Sequence, residues 1–574
     1  MKINKLYIAA AFTALALMGC DDFLDTESYT KKTTGDIPKT EGDVEMLLAG
    51  TYSIMNQNMN AKTEEVPFMV FDLASDDRLG GGSTSNRGAQ SADRLLRRDV
   101  KFMEVTWEWR YKGIFNTNTI LSLADNVTSW ASESRKNQLL GEAHFLRAFY
   151  YFNLAQIFGE CPLILETKPQ NLPKASADEI YAQIATDLKT AIEIMPSSRY
   201  QDTKTCTHAS KWAAESLMAR VFLFYTGYYE KESLPTTDGS SISKQQVITW
   251  LEDCINNSGH ALLADQRSLW PYTYENTKKT YPYMDGVAAE WATDNNEEVV
   301  FALGFGNYSS GDLYSNRMIE WYDLRNTGIT GEETYPFVPQ GYSNGPVNRG
   351  LWDDWANDPD YAGDYRREGS ICDRTVEMPN YKGDPSKEVE NSNLFAKKYA
   401  GTAAVAPDGS IYRSYAVYFG APNHDHRGNT QNLIFIRFAD VLLMHSELTQ
   451  TPDGMNKVRA RAKLPALNYS LDNIIKERRY ELCFEGVRWN DLRRWHKVDV
   501  IMKSQVGQEI GNRKFTDKYV DFTGDNSFSA RYQATGGFFN IPNTQVILSN
   551  GVLLQNKGWA EGEGDWTKLP YSTL

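Results

Sequence analysis

The first half of the chain carries a repeating pattern of apolar positions. Between residues 139 and 228, apolar side chains recur at steps of three and four in three successive stretches, and prolines fall in the gaps. That spacing places the apolar groups on one face of a helix, so it predicts three amphipathic helices joined by short connections. The positions are Leu139, Ala143, Leu146, Tyr150, Leu154 and Ile157; then Ile180, Ile184, Leu188, Ala191 and Met195; and then Ala213, Leu217, Val221, Phe224 and Tyr228.

A capping motif and a weak internal sequence repeat support this interpretation. Ser176-x-x-Glu179 has the form of a capping box at the start of the second stretch. In this repeat, apolar residues recur 71 positions later in the chain: Leu146, Ala148, Tyr150 and Leu154 correspond to Leu217, Ala219, Val221 and Tyr225. Two tetratricopeptide units of roughly 34 residues give about that offset. Two further helices are predicted towards the C-terminus, over about 432–449 and 470–496.

The stretch 270–365 is different in kind. Its 96 residues include 5 Trp, 11 Tyr and 3 Phe, which is about 20% aromatic against 12% for the whole chain. Gly, Asn, Asp and Pro are frequent and no helical period is evident, although Glu298–Ala302 is typical of a short strand. An earlier loop, from Asp76 to Arg87, is also polar and rich in glycine. Since long irregular segments in an ordered protein are usually functional loops, these stretches are predicted to carry function.

The densest mixture of charged and apolar residues lies near the C-terminus, in ERRYELCFEGVRWNDLRRW (477–495). Glu477, Glu481 and Glu485 are four residues apart, which makes one acidic stripe on a helix. Exposed charge runs rarely include so many large aromatic groups, so the stretch predicts a buried, paired network. Gly486 is predicted to end the first helix in a left-handed conformation, with a second short helix after it.

The glutamates of this stretch are expected to form ion pairs with arginines of the same stretch. We expect Glu481 or Glu485 to pair with one or more of Arg478, Arg488 and Arg493.

This stretch resembles the hallmark of the SusD/RagB family, the outer-membrane nutrient-binding lipoproteins of Bacteroidetes. The family pattern reads roughly E-R-R-x-E-L-x-F-E-G-x-R-W-x-D-L-R-R-W, and the chain keeps it nearly throughout, with Cys483 at a position that is usually small or apolar. Three more segments are similar to parts of the family sequence, so the resemblance spans almost the whole chain. They are RAFYYFNLAQIFGECPLI (147–164), IRFADVLLMHSEL (436–448) and FFNIPNTQVILSNGVLLQNKGW (538–559).

The resemblance implies a mainly α fold. A tetratricopeptide-like helical-repeat scaffold is expected to hold a large irregular, aromatic-rich loop region that carries the ligand site. The chain then divides into a signal peptide (1–19), an N-terminal helical part (20–269), a loop-rich ligand-binding region (270–430) and the C-terminal helices with the hallmark and a C-terminal cap (431–574).

The first twenty residues have the form of a lipoprotein signal. Lys2 and Lys5 precede an apolar run, Leu6–Met18, that is too short to span a bilayer. Leu17-Met18-Gly19-Cys20 supplies the apolar and small residues that a lipoprotein peptidase requires before its cysteine. Cys20 is therefore predicted to carry acyl chains such as palmitate, and several chains make such an anchor stable. The resemblance places the anchored protein in the outer membrane, facing the cell exterior.

Composition narrows the range of partners. Without the two signal lysines, 58 basic side chains stand against 74 acidic ones, a net charge near −16. That balance argues against nucleic acid or an anionic membrane face as a partner.

Besides Cys20, the chain has five cysteines at irregular spacings. They are expected to be mostly buried thiols, and the spacing leaves open whether one disulfide forms. They are Cys161, Cys206, Cys254, Cys372 and Cys483.

The aromatic loops suggest a sugar site. Sugars have apolar C–H faces and hydroxyl rims, so their sites combine flat aromatic platforms with Asp, Asn, Gln and Arg partners. Any one of these aromatic residues could instead pack a loop onto the helices. The candidate platforms are Trp291, Tyr308, Tyr314, Trp321 and Tyr322, and the candidate polar partners are Asp77, Arg78, Asn307 and Asn316.

Catalytic and metal motifs are scarce. The chain has seven histidines and contains no G-x-S-x-G, H-E-x-x-H or glycine-rich phosphate loop. His424-Asp425-His426 has no third ligand at a recognisable spacing, and Asp358, Asp360 and Asp364 do not match the EF-hand order. We therefore expect no enzyme, cofactor or metal.

Three functions remain open at this point. The resemblance implies a non-catalytic surface protein that captures oligosaccharides and passes them to a SusC-like TonB-dependent transporter. Some relatives serve peptide uptake, so the same fold with a peptide or another nutrient is an alternative. The third is a tetratricopeptide-type scaffold for protein interactions, for which the loops of 270–365 would be superfluous.

Overall fold

A computed structural model describes residues 38–61, 65–83, 88–96, 103–305, 315–325, 337, 341–379, 381, 387–418, 429–512 and 515–559. It is mainly helical, with short strands in pairs. The helices are α1 Glu41–Ala61, α2 Pro67–Leu73, α3 Gly88–Asp93, α4 Glu104–Leu123, α5 Glu133–Phe158, α6 Ala177–Ile194, α7 Tyr200–Thr203, α8 Lys211–Tyr228, α9 Lys244–Asn257, α10 Glu275–Lys278, α11 Arg317–Tyr322, α12 Arg349–Asn357, α13 Arg366–Ser370, α14 Arg374–Glu377, α15 Ser414–Tyr418, α16 Phe438–Thr449, α17 Asp453–Arg461, α18 Leu471–Leu482, α19 Arg488–Arg494, α20 Val500–Gln505, α21 Phe528–Thr535 and α22 Asn543–Leu548.

Within the described residues, the strands form five antiparallel pairs. They are β1 Leu234–Pro235 with β2 Ser241–Ile242, β3 Val299–Leu303 with β8 Leu433–Arg437, β4 Ile371–Asp373 with β5 Leu394–Ala396, β6 Ala403–Val405 with β7 Ile411–Arg413, and β9 Glu509–Asn512 with β10 Phe515–Lys518.

The three predicted amphipathic helices are confirmed as α5, α6 and α8. Each begins at a serine whose hydroxyl accepts a hydrogen bond from the first turn: Ser132, Ser176 and Ser210. Ser176 and Glu179 form the predicted capping box, with both reciprocal hydrogen bonds present. These caps fix the starts of the scaffold helices.

The scaffold helices pack in chain order. α4 lies against α5, α5 against α6, α6 against α8, and α8 against α9. α9 then contacts α16, and α16 contacts α17 and α18, so the C-terminal helices extend the same array. One apolar core runs through it and includes residues from Val44 to Trp559. The mainly α, tetratricopeptide-like scaffold is thus confirmed, whereas the division of the chain at 269 and 430 stays a prediction.

One of the two predicted C-terminal helices needs correction. It is predicted to start near 432, but Leu433–Arg437 is strand β8, which pairs with β3. The break predicted within 470–496 is present, because α18 ends at Leu482 and the second short helix, α19, begins at Arg488. Gly486 adopts the predicted left-handed conformation with φ +69°, and a Cβ there would lie 3.0 Å from the Phe68 ring. Phe484 also has positive φ, so the first helix ends earlier than Gly486.

The middle stretch is less irregular than its sequence suggested. Residues Arg349–Asn357 form α12, which has only Leu351 and Trp355 buried. One apolar step of four residues is too little to produce a visible period, and this explains why the helix was missed. Of the sixteen described aromatic residues in 270–365, nine are buried, so much of the aromatic excess packs loops onto the core.

The five internal cysteines are free and buried, as expected. Among the residues described, no helix is both long enough and apolar enough to cross a bilayer. Cys20 and the preceding signal lie outside the described residues.

Candidate functional site

Helix α11 brings Trp321 to the protein surface. Its N-cap is Asn316, whose side-chain oxygen accepts from Met318 N at 3.2 Å and whose amide donates to Gln431 O at 2.9 Å. Met318, Ile319 and Tyr322 are buried on the core side of the helix, whereas Trp321 is half-buried. The helix therefore fixes a large aromatic ring at the edge of the loop region.

Trp321 pairs with a second half-buried ring, Tyr342. The ring centres are 5.5 Å apart and the planes meet at 47°. The guanidinium carbon of Arg325 lies 5.2 Å from the Tyr342 centre, within cation–π range. Asn344 N donates to Trp321 O at 3.0 Å, which holds the two segments together. We call Trp321, Arg325, Tyr342 and Asn344 the aromatic face.

Asn344 is the buried polar member of the aromatic face. Its side-chain nitrogen reaches Trp321 O at 3.4 Å, but within the described part of the chain its side-chain oxygen is buried without a hydrogen-bond partner. Buried amide oxygens are normally satisfied by protein, water or a ligand. This oxygen lies against Gly82, where a Cβ would be 2.2 Å from it, so Asn344 holds the glycine turn from inside the protein.

A glycine turn of the Asp76–Arg87 loop lies directly beside the aromatic face. Gly81 and Gly82 have φ of +65° and +77°, and Gly82 N donates to Ser343 O at 2.9 Å. A Cβ on Gly81 would lie 2.4 Å from Pro346 Cδ, so glycine permits the close approach. Two polar loops that are distant in sequence therefore meet at Trp321 and Tyr342.

A second aromatic group lies around Trp291. The Tyr418 ring is 4.9 Å and the Tyr415 ring 5.2 Å from the Trp291 ring, and Tyr274 contacts both Trp291 and Tyr418. Trp291 is 7% exposed and Tyr418 is 40% exposed. Tyr418 is therefore the accessible ring of this group, and Trp291 supports it from below.

The two aromatic groups are linked through Asp323. Its carboxylate accepts from Gly401 N at 2.6 Å and lies 3.9 Å from the Arg413 guanidinium. Arg413 is followed by α15, which carries Tyr415, whose hydroxyl donates to Asp294 at 3.0 Å. Burial raises the pKa of Asp294 to about 7, against the opposing effect of the Tyr415 hydrogen bond. The face and the Tyr418 group thus share one supporting framework.

Four predicted ligand residues are buried supports. Asp77 accepts from Arg479 at 2.8 Å, and Arg78 is paired with Asp72 and donates to Gly345 O at 2.6 Å. Tyr322 lies under the Arg78 guanidinium, and Asn316 caps α11. Because the structure turns Asp77, Arg78, Asn316 and Tyr322 inward and engages them with protein groups, it gives them positioning roles. Direct ligand contact by these four stays an untested prediction.

The remaining candidates differ in their placement. Trp321 is at the surface and Trp291 is beneath Tyr418, as described above. Asn307, Tyr308 and Tyr314 lie outside the described residues, so their predicted ligand contacts stay predictions.

Sequence reasoning missed Arg325, Tyr342, Asn344, Tyr274 and Tyr418. A signal for part of this set was present in Gly341-Tyr-Ser-Asn-Gly-Pro346, where a tyrosine and an asparagine stand inside a run of turn residues. The pairing of Tyr342 with Trp321 depends on a backbone bridge that no local pattern indicates.

The hallmark stretch supports the site from beneath. Glu481 pairs with Arg366 and Arg461 and with Arg437, while Glu485 pairs with Arg437 and Lys398, all of them buried. Burial raises the pKa of Glu481, but the three guanidinium groups outweigh it and hold the pKa well below its usual range. The predicted buried network is confirmed.

The predicted partners within the hallmark were wrong. Arg478 donates to Asp440 and Asp491 at 2.6 and 2.8 Å, Arg488 pairs with Asp76 at 2.7 Å, and Arg493 donates to Gln156 O at 2.7 Å. Successive helix positions point about 100° apart, so the glutamates and arginines of α18 face different neighbours. The network therefore ties the hallmark mainly to distant segments, while Asp491 pairs within the hallmark with Arg478 and Arg494.

Metal chemistry finds no support in the residues described. No group of three or more His, Cys, Asp or Glu side chains is arranged to hold an ion there. Asp358 and Asp364 are engaged by Lys476 and Arg366 at 2.7 and 2.8 Å. His424–His426 lies outside the described residues. What the aromatic face offers is stacking surface and hydrogen bonding.

Two family models match the chain. Residues 22–223 match one described as "Starch-binding associating with outer membrane", and residues 352–559 match one described as the SusD family. Among curated proteins, "SusD-like protein P2" of Formosa agariphila is 25% identical, over 97% of this chain and 100% of its own length. A "SusD-like protein" of Bacteroides ovatus is 23% identical, over 77% of this chain and 78% of its own.

Solved structures give the same fold. A "Laminarin binding SusD-like protein" superposes with a TM-score of 0.66 at 24% identity, covering 91% of this chain and 100% of its own. "Surface glycan-binding protein A from Bacteroides thetaiotaomicron in complex with laminarihexaose" superposes with a TM-score of 0.67 at 17% identity, with the same coverage of 91% and 100%.

Proposed function

Since this chain belongs to the SusD/RagB family, we propose that it is a non-catalytic glycan-binding lipoprotein of the outer membrane. It captures oligosaccharides at the cell surface and passes them to a SusC-like TonB-dependent transporter. Both curated relatives named above are SusD-like, and one family description includes association with the outer membrane. These likenesses support the class of protein, and the aromatic face supports the ligand class.

The aromatic face is the observation that carries the proposal. Trp321 and Tyr342 offer two adjacent rings to the apolar face of a sugar, and Arg325, beside Tyr342, brings a guanidinium group that can donate to its hydroxyl groups. The rings stand on backbone that is tied to α11 and to the glycine turn, so the site is pre-organised. Tyr418 adds a further accessible ring on the same framework.

The residues around the aromatic face also fit a protein that binds a glycan without cleaving it. A glycosidase needs two positioned carboxylates flanking the scissile bond. The two carboxylates nearest to Trp321 along the chain, Glu320 and Asp323, are 0% and 5% exposed; Arg317 engages Glu320, and Gly401 N and Arg413 engage Asp323. The face therefore supports binding and release of an intact chain of sugars.

The anchor and the transporter complete the proposal. Acyl chains on Cys20 hold the protein to the outer membrane, where it faces the exterior. The transporter then receives ligand that the aromatic face has concentrated at the surface. In this proposal residues 1–19 are the signal peptide, 20–269 the N-terminal helical part, 270–430 the ligand-binding region and 431–574 the C-terminal helices and cap.

A binding screen tests the ligand class. The protein that begins after Cys20 is run on native gels containing each of a panel of polysaccharides, and laminarin goes first because two structural neighbours carry laminarin or laminarihexaose in their names. Retardation by at least one glycan is expected. A matched panel of oligopeptides is measured by calorimetry. Binding of oligopeptides with no binding of any glycan would replace the glycan with a peptide ligand.

A further inference from the structure

The carboxylate of Glu388 lies buried behind the aromatic face. Glu388 is 0% exposed, so it is out of reach of a ligand at the surface. Its Oε1 atom accepts one hydrogen bond from the Ser343 hydroxyl at 3.2 Å and another from the Tyr381 hydroxyl. Because Ser343 and Tyr381 lead to different members of the aromatic face, one carboxylate is bonded to the supports of both.

Ser343 directly follows Tyr342 and has an uncommon backbone conformation. Its φ is +52°, a left-handed value that a residue other than glycine holds only when its surroundings fix it. Ser343 N donates to Asp323 O at 2.9 Å, and Ser343 O accepts from Gly82 N at 2.9 Å. The bond from its hydroxyl to Glu388 is the side-chain part of this support. Since the position of the Tyr342 ring follows from this backbone, Glu388 helps to set it.

The Tyr381 hydroxyl connects Glu388 to Arg325. It accepts a hydrogen bond from Arg325 N at 3.1 Å while it donates to Glu388. Tyr381 is buried, and burial together with the charge of Glu388 raises the pKa of its hydroxyl well above the usual range, so the hydroxyl keeps its proton. Glu388 is therefore linked through one hydroxyl to the backbone of Arg325 and through the other to the backbone beside Tyr342.

The second oxygen of Glu388 is held by groups that lie outside the aromatic face. Oε2 accepts from Asn391 Nδ2 at 3.2 Å and lies 3.4 Å from the Arg374 guanidinium. A buried charge needs a paired cation, and Arg374 supplies it. The Arg374 guanidinium also lies 4.5 Å from the centre of the Tyr381 ring. The carboxylate is thus fixed on one side and presents its other oxygen to the two hydroxyls.

The two residues after Glu388 bind the glycine turn beside the aromatic face. Val389 N donates to Gly82 O at 2.9 Å, and the Glu390 carboxylate accepts from Gly81 N at 3.0 Å. Glu390 is buried as well. Three consecutive residues therefore hold both of the loops that meet at the aromatic face.

We propose that Glu388 is a positioning residue of the glycan site: it sets the arrangement of Tyr342 and Arg325 beside Trp321 without touching the ligand. This proposal rests on the proposed function, because it takes the aromatic face as the place where a glycan binds. It adds a buried residue whose loss changes affinity in protein that is still folded. A carboxylate with a purely structural role would change stability and leave that affinity as it is.

Calorimetric titration with the glycan found by the screen compares Glu388→Ala with Glu388→Gln. Alanine removes both hydroxyl contacts, whereas glutamine keeps an oxygen that can accept from Ser343 and Tyr381. Glu388→Ala is expected to weaken the glycan affinity about tenfold, which corresponds to about 1.4 kcal/mol. Glu388→Gln is expected to recover most of that loss and to stay within about threefold of wild type.

Glu142→Ala is the matched control. Glu142 is 2% exposed, and it too accepts a hydrogen bond from a tyrosine, Tyr52, at 2.8 Å. Its other side-chain partners are Gln138 and His208, and neither belongs to the aromatic face. Glu142→Ala should lower the melting temperature and leave the glycan affinity unchanged. Affinities are compared at a temperature at which circular dichroism shows each variant to be folded.

Two milder variants decide the question if Glu388→Ala does not fold. Ser343→Ala removes the hydroxyl beside Tyr342, and Tyr381→Phe removes the hydroxyl that bonds Arg325 N. Each is expected to weaken the glycan affinity about threefold to fivefold, as for the loss of one hydrogen bond. Wild-type affinity in every one of these variants that folds would overturn the role of Glu388 and leave the proposed function standing.

A second measurement does not depend on a glycan. The protein is labelled with fluorotryptophan, and the fluorine NMR signal of Trp321, identified by its loss in Trp321→Phe, reports the surroundings of the ring that faces Tyr342. The signal should shift or broaden in Ser343→Ala and in Glu388→Ala, and it should stay in place in Glu142→Ala. An unmoved signal in Ser343→Ala and Glu388→Ala would overturn the role of Glu388. Wild-type protein that binds no glycan would overturn the proposed function, and the NMR signal would then decide the role of Glu388 alone.

Discussion

The guanidinium group of Arg78 lies 3.8 Å from the centre of the Tyr322 ring. The same group is 4.6 Å from the ring of Phe484, inside the hallmark stretch, and donates to Gly345 O beside the aromatic face. One buried cation thus connects the hallmark to the helix that carries Trp321. The hallmark is part of the structure that positions the site.

Loss of Arg78 should therefore lower the stability of the folded protein. Arg78→Ala leaves the buried Asp72 without its pairing cation, and breaking a buried pair costs on the order of 3–5 kcal/mol. Thermal melting should show a clear drop, and adding Asp72→Asn should recover part of it. A melting temperature within a degree of wild type for Arg78→Ala would show that the pair contributes nothing.

Glu481 provides the equivalent test inside the hallmark. Glu481→Gln keeps the shape of the side chain but removes the charge shared by Arg366, Arg437 and Arg461, so a loss of roughly 3–5 kcal/mol in the free energy of unfolding is expected.

Asp499→Asn is the control for Glu481→Gln, because the Lys503–Asp499 pair is 73% and 64% exposed and such pairs contribute about 0–1 kcal/mol. Chemical denaturation of both variants makes the comparison. Equal, small effects would mean that the hallmark is needed for a contact with another protein instead of for stability.

Acid should weaken the buried ion pairs of Asp440 over a defined range of pH. Burial raises the pKa of Asp440, but the guanidinium groups of Arg220 and Arg478 outweigh burial and lower the pKa to about 2. An unfolded Asp has a pKa of about 3.9, so the pair's stabilisation is complete above about pH 4 and is lost as pH falls towards 2. The difference in free energy of unfolding between wild type and Asp440→Asn should shrink over that range. A difference that stays constant from pH 6 down to about pH 2.5 would refute the assignment.

The lipid anchor can be tested on one cysteine. Cys20→Ala should abolish palmitate labelling and release the protein from the membrane fraction, because acyl chains on that residue supply the attachment. Cys161→Ala is the control, since Cys161 is a buried free thiol and its loss should leave labelling intact. Labelled, membrane-bound Cys20→Ala protein would rule out the lipoprotein assignment.

Local patterns were enough for the scaffold but not for the site. The capping box at Ser176 and the left-handed Gly486 depend on residues a few positions apart, so their geometry could be predicted. The partners of Glu481 come from three separate segments, and Tyr342 meets Trp321 only through the fold. Aromatic content alone did not separate packing from binding, since a residue such as Trp355 is as fully buried as any core side chain.

The central claim is that the aromatic face holds a glycan, and calorimetric titration of Trp321→Ala tests it most directly. The glycan identified by the screen is titrated into wild type, Trp321→Ala and Trp352→Ala. Trp352 is the matched control: it is also half-buried, but it lies on α12 under Arg367 and outside the face.

Trp321→Ala should keep the wild-type melting temperature and lose about 2 kcal/mol of binding free energy, roughly a thirtyfold weaker affinity, because it removes the larger of the two stacking rings. Trp352→Ala should bind as wild type does. Unchanged affinity in Trp321→Ala would contradict the claim that this face is the glycan site.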